Sequence, residues 1–194
     1  MTVSNLSSGV RPGVCLYSSR PTVPYEGQMI YETDTDMVAI WNGTAWRYIA
    51  ATTPTNGTVL QVVTGSTSTQ AFNQTSTDAD TGLSASITPK STSSKVLVYV
   101  HMADCKITNA SSTGLRLRLF RGATQIQQFA SELGKFASAT ENFFDSSTVY
   151  LDSPATTSAT TYKVQLASSN NSNGVATNAA SSGQSIITLM EIAG

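Results

Sequence analysis

The chain has a single histidine, His101, so any Ser-His-Asp relay or imidazole base must run through it. It sits in the apolar run VLVYVHMADC, three residues before Asp104 and four before Cys105. On a regular strand His101 and Cys105 share one face and Asp104 points to the other. That spacing gives neither a catalytic pair nor the three or four convergent ligands that zinc requires, so His101 reads as a structural histidine. Carboxylates alternate at Glu32/Asp34/Asp36 and at Asp78/Asp80. Such turns can gather Ca²⁺ through clustered oxygens, but these lack the Gly-then-Glu spacing of an EF-hand. Asp and Thr in turns more commonly bond nearby backbone. A glycosidase needs two facing carboxylates in a cleft, and nothing in the sequence locates such a pair. There is no Gly-x-Ser-x-Gly elbow, phosphate-binding Gly loop or His-Glu-x-x-His stretch. Cys15 and Cys105 lie 90 positions apart and, with no secretory signal beside them, read as free thiols. The sequence predicts a protein with no catalytic residue, no metal and no cofactor.

Charge excludes a further class. The net charge is -1, and the densest basic group is Arg116, Arg118 and Arg121. Arg116 and Arg118 alternate with Leu115, Leu117 and Leu119, which is the wet face of one strand and not a stripe for phosphates. No nucleic-acid partner is expected. No apolar run reaches the roughly 18 residues of a membrane span, and MTVSNLSSGVRPGV lacks the basic and apolar regions of a signal peptide. Membrane insertion is therefore not expected, and the chain reads as made and folded in a cytoplasm.

The elements that hold these residues are strands. The 27 Ser and 28 Thr displace charged residues, which make up only 12%, about half the usual share. Thr and Val suit pleated, half-buried surface, while Ser, Asn and Gly suit turns. No long segment carries a 3.6-residue apolar period. Residues 1–19 are Ser/Gly-rich and read as an extended N-terminal arm. Residues 20–50 hold both tryptophans, with Gly27–Tyr31, Met37–Trp41 and Ala45–Ile49 as short strands. Asn42-Gly43 closes the second hairpin, because both residues accept positive φ cheaply. Trp41 and Trp46 flank that turn and form a candidate cross-strand pair. Three such short strands cannot bury two tryptophans alone. Tyr25, Ile30, Tyr31, Trp41, Trp46 and Tyr48 are accordingly the candidate attachment or oligomer interface. Residues 51–57, with Pro54 and Asn56-Gly57, form a linker.

Residues 58–194 give strands at 58–64, 71–75, 83–88, 95–105, 114–121, 125–129, 141–151, 161–167 and 185–192. Leu83/Ala85/Ile87, Leu115/Leu117/Leu119 and Tyr162/Val164/Leu166 alternate with polar residues, one face buried and one wet. Strands at this spacing without helical crossovers predict an all-β fold, a jelly-roll-like β-sandwich preceded by the arm and the hairpin module. Phe143 and Phe144 point to opposite faces. The longest polar loops, 106–114 and 168–183, are where a sandwich tip would touch a ligand.

Two segments carry a resemblance. RPTVPYEGQMIYETDTDMVAIWNGTAWRYI at 20–49 closely resembles a module repeated across phage tail and other virion structural proteins, with its Gly-Gln-x-Ile-Tyr-Glu-Thr-Asp-Thr strand and turn and its Trp-Asn-Gly-x-x-Trp hairpin. TGLSASITPKSTSSKVLVYVHMADC at 81–105 is similar to the start of a β-sandwich domain of phage fibre and spike proteins, and SIITLMEIAG at 185–194 to its last strand. Together they cover about half the chain; residues 106–184 carry no such motif. The resemblance implies a bacteriophage virion protein assembled in the bacterial host cytoplasm. It would be a homotrimeric tail fibre or spike with its N-terminal region on the particle and its sandwich facing outward. The implied partners are copies of itself, other capsid or tail proteins, and a host-surface glycan. The alternative in the same class is a capsid decoration or head-fibre protein. The alternative of another class is a small carbohydrate-active enzyme.

Overall fold

The computed structural model describes residues 12–49, 54–108, 113–135, 141–171, 173–180 and 183–194. Two compact units divide the chain, Met1–Thr53 and Pro54–Gly194. Among the described residues both are built from strands, with one 3₁₀ turn at Tyr17–Ser19. None of these residues forms a helix long and apolar enough to cross a membrane.

The first unit is a four-stranded sheet in chain order, β1 (Gly13–Cys15), β2 (Met29–Glu32), β3 (Met37–Trp41) and β4 (Trp46–Tyr48). β2, β3 and β4 are the expected hairpins. β1 comes from the stretch read as an extended arm and pairs parallel with β2, Val14 opposite Tyr31. That correction has a local cause. Asp34, in the β2–β3 turn, accepts the Tyr17 backbone N–H at 2.9 Å, and the Thr33 N–H donates to the Cys15 carbonyl, so the turn itself ties residues 15–17 down. Residues 1–11 of the arm, residue 50 of the hairpin module and residues 51–53 of the linker lie outside the described residues.

The second unit is a two-sheet sandwich. Its strands are β5 (Val59–Thr67), β6 (Ala71–Asn73), β7 (Ala79–Ile87), β8 (Lys95–Ile107), β9 (Leu115–Arg121), β10 (Thr124–Leu133), β11 (Asn142–Asp152), β12 (Thr160–Ser168), β13 (Val175–Thr177) and β14 (Ser185–Ile192). One sheet runs β10-β9-β12-β7. The other runs β5-β14-β8-β13-β6, with β11 on the free side of β8. Setting aside the two three-residue strands, the antiparallel pairing is nested: β5 with β14, β7 with β12, β8 with β11, β9 with β10. First meets last and each inner pair closes within it, as in the expected all-β sandwich.

The core follows from period-2 patterning. Leu83, Ala85 and Ile87, Leu115, Leu117 and Leu119, and Tyr162, Val164 and Leu166 are all buried and join one cluster with Val96, Val98, Val100, Ile187 and Leu189 from the facing sheet. Each fully buried Leu, Ile or Val contributes about 1.5–3 kcal/mol relative to exposure. Pro89 and Pro154 follow the ends of β7 and β11, where no ladder donor is needed. β13 was not expected, because Val175-Ala176-Thr177 is too short to show a period. It forms because β8 outlasts β14: β14 pairs with residues 95–101, which leaves Lys106 and Ile107 for β13.

Candidate functional site

His101 and Cys105 do not share a face. Phe144 pairs with Cys105 and Ser146 with Met102, so Ala103 and Asp104 together oppose Asp145. Asp104 takes φ +45°, and its N–H donates to Asp145 Oδ1 at 2.9 Å. This β-bulge adds one residue and reverses the alternation beyond it. Met102 and Cys105 therefore both enter the core, while His101 faces outward with Nδ1 3.0 Å from Ser147 Oγ. Burial pushes the Cys105 thiol up to about 12, with Asp145 and Asp104 adding to it. Both cysteines are free.

The carboxylates are held by protein partners. Glu32 is buried and accepts from Arg20, from the Tyr48 hydroxyl at 3.0 Å and from Thr35 at 3.1 Å. The Arg20 hydrogen bond holds its carboxyl below the ordinary range against the cost of burial. Asp36 accepts from the Tyr31 hydroxyl. Asp78 pairs with Arg118, and Asp80 accepts from Lys163 and Gln165. Arg121 donates to Asp152, and Arg116 to the Ser76 and Ser168 carbonyls. Among the described residues no three His, Cys, Asp or Glu converge on one point. Two surface grooves of about 310 and 380 Å³ hold neither His101 nor two carboxylates.

The aromatic module divides into two faces. Register places Gly13, Ile30, Ala39 and Tyr48 in one row and Trp41 opposite Trp46 on the same side. Trp41 and Trp46 make the expected pair, edge to face at 5.6 Å. Arg20 covers this face, its guanidinium 4.2 Å from the Tyr17 ring centroid and 5.4 Å from that of Tyr48. Ile30 is only 2% exposed. It supports the sheet and is unavailable for contact, which corrects its place among the interface candidates. The Tyr48 hydroxyl is spent on Glu32. The opposite face carries Val14, Met29, Tyr31, Val38 and Ile40, all half-buried or exposed. Tyr25, in the loop before β2, is 70% exposed.

Sequence reasoning missed a larger surface, the outer face of the sheet β5-β14-β8-β11. Register lines up Val62, Met190, Leu97 and Leu151 in one row across four strands. Thr64, Thr188, Tyr99 and Val149 form the next. Val62, Tyr99, Val149 and Leu151 are 54%, 41%, 56% and 50% exposed. The other sheet turns a mostly polar face outward, with Asp80, Ser84, Ser86, Lys163, Gln165, Arg116 and Arg118 around one half-buried aromatic ring, Phe120. The missed signal was continuity: VLVYV in β8 and IITLMEI in β14 are apolar at both parities, which marks strands shielded on both faces.

No protein-family model matches the chain, and no curated protein matches it. Among solved structures, the subviral particle of infectious bursal disease virus VP2 is similar over 91% of this chain, with 13% identity and a TM-score of 0.33. The similar region spans 46% of that chain, about half its length. A likeness this low carries no statement of function.

Proposed function

We propose that the chain is a non-enzymatic structural protein of a bacteriophage particle, a homotrimeric tail fibre or spike. Its N-terminal unit attaches to the particle and its sandwich faces outward for host contact. The observation that carries this reading is the chemical asymmetry of the sandwich. One sheet presents a polar, ion-paired face, while the other presents rows of uncovered Val, Leu, Met and Tyr. Apolar area of this kind on a folded domain marks a contact surface. The resemblance of residues 20–49 to a virion module supplies the setting. The open face of the first unit, with Tyr31 and Val38, supports attachment through that end.

The test is position and effect on the particle. Soluble full-length protein should block adsorption of the phage, and antibody should label tails. Co-purification with DNA-filled heads that lack tails, with no effect on adsorption, would replace the fibre with a shell decoration protein. Release of sugar from host envelope, lost on changing a carboxylate such as Asp80, would replace both with an enzyme.

A further inference from the structure

We infer that the outer face of the β5-β14-β8-β11 sheet is the surface through which copies of this chain associate, its occupant being the same face or sheet of a second copy. The inference deepens the assembly reading above and rests on it for its setting. Three observations carry it.

The first is area. Val59 faces Ile192, and Ile186 faces His101, on either side of the two central rows. With these the face presents nine apolar side chains, of which Val59, Val62, Tyr99, Val149 and Leu151 are 50%, 54%, 41%, 56% and 50% exposed. A standard interface takes about 800 Å² per partner, of which about 65% is apolar where copies of one chain meet. The face thus offers a contiguous apolar patch of the kind that forms the core of such a self-contact.

The second is charge. Between the Lys95 row and the His101 row the face holds no carboxylate and no Lys or Arg. A copy of itself can therefore be set against it without like-charge repulsion, whereas the opposite sheet, with Asp78, Asp80, Arg116, Arg118 and Lys163, could not be dehydrated so cheaply.

The third is the edges. β11 and β5 bound the face, and β11 pairs without irregularity from Ser146 to Asp152. That stretch, SSTVYLD, contains no Lys or Pro, the residues that commonly blunt a free edge. Among the described residues the face and its β11 margin are left open together.

The experiment measures the mass of the full-length protein by light scattering across a dilution series, beside Val149→Glu and the control Ser84→Glu. Val149 is central and exposed, whereas Ser84 lies on the polar sheet next to Lys163 in register. Wild type should give a multiple of 20.4 kDa, and V149E should dissociate at least about 100-fold more readily, because facing carboxylates meet in apolar surroundings. S84E should match wild type. A wild-type mass of 20.4 kDa at every concentration, or a folded V149E that associates as wild type does, would overturn the inference. If V149E does not fold, Val62→Thr with Val149→Thr serves instead: weakening by about tenfold is expected, and none would overturn it. Recovery of the chain from purified particles separates the two readings. A particle-bound chain that is monomeric in solution defeats this inference together with the trimer and leaves the virion reading; an oligomer that V149E leaves intact defeats this inference alone, and an oligomer absent from particles defeats the virion reading alone.

Discussion

Replacing Asp152 with Ala should cost the sandwich about 3 kcal/mol, with most of the loss in a residue that is not mutated. Asp152 ends β11 and is 6% exposed. Its carboxylate accepts the Tyr162 hydroxyl at 2.6 Å and Arg121 Nη1 at 2.8 and 2.9 Å. Tyr162 is fully buried, and burial, then the bond to Asp152, raises its hydroxyl pKa well above the ordinary value. The two partners differ in what they can recover. The Arg121 side chain is 32% exposed and can turn to water, so its lost ion pair costs about 0–1 kcal/mol. The Tyr162 hydroxyl is left dry and unpaired, at about 1–3 kcal/mol. For a unit of this size, about 3 kcal/mol lowers Tm by roughly 10 °C. Tyr162→Phe alone removes one hydrogen bond to a charged group but leaves Asp152 with Arg121, a loss of about 1.5–3 kcal/mol. The double variant has no orphaned hydroxyl, so its loss should fall short of the sum by about 1–2 kcal/mol. Calorimetry of the four full-length proteins at one fixed concentration measures the cycle. Single losses that add to within about 0.5 kcal/mol would mean Tyr162 and Asp152 do not depend on each other, and the account of this corner would be wrong.

Three further outcomes follow from particular contacts. Both tryptophans lie in the first unit, so their fluorescence reports that unit alone. The Glu32 carboxyl is depressed by Arg20, and a depressed carboxyl contributes stability above its unfolded pKa that is lost as pH falls through the folded value. A tryptophan-detected transition is therefore expected on acidification below about pH 4, and Glu32→Gln should lower stability at neutral pH and flatten that dependence. Cys15 is partly exposed whereas Cys105 is buried with its thiol pushed up to about 12, so a thiol reagent at neutral pH should titrate one thiol in the native protein and two after unfolding. A Cβ on Gly65 would run into the Ser84 carbonyl of the facing sheet, so Gly65→Ala should cost about 2–3 kcal/mol, read as a lower urea midpoint with an unchanged slope.

How much of this was legible depended on whether one strand face was wet. β7, β9 and β12 alternate strictly, as in Leu115-Arg116-Leu117-Arg118-Leu119, and their core residues could be read directly, because a polar outer face makes the period visible. The Trp41/Trp46 pair was legible for a similar local reason: Asn42-Gly43 sets the register that brings the rings together. The bulge at Ala103 and Asp104 was not. A one-residue insertion leaves composition untouched and shows only in the partner strand, where Asp145 accepts the Asp104 N–H. Regular alternation therefore placed Cys105 beside His101, when the fold separates them. Ile30 was misread because Arg20, a residue at the margin of the module, folds back over that sheet face through Glu32 and Tyr48, a contact between segments that no local pattern records.

The outer face of β5, β14, β8 and β11 was hidden by the opposite effect. Its strands are apolar at both parities, so period-2 reasoning sees an ordinary buried strand and stops there. In an antiparallel two-layer sandwich, however, only one face of each sheet can meet the other sheet. β8 places Val96, Val98 and Val100 in the core, fully buried, so the alternate residues Leu97 and Tyr99 must point away from it. A strand that is apolar on both faces, in a fold that buries only one, leaves an apolar face that the described residues of the second unit do not cover, and that face is the ground of the self-association inferred above. That mismatch is already present in the letters KVLVYVHM and SIITLMEI once the sandwich is known, and it turns a statement about fold into one about assembly. The polar sheet follows the same logic: its outward carboxylates pair with cationic side chains, as Asp78 does with Arg118 and Asp80 with Lys163, and such charged groups remain satisfied against water.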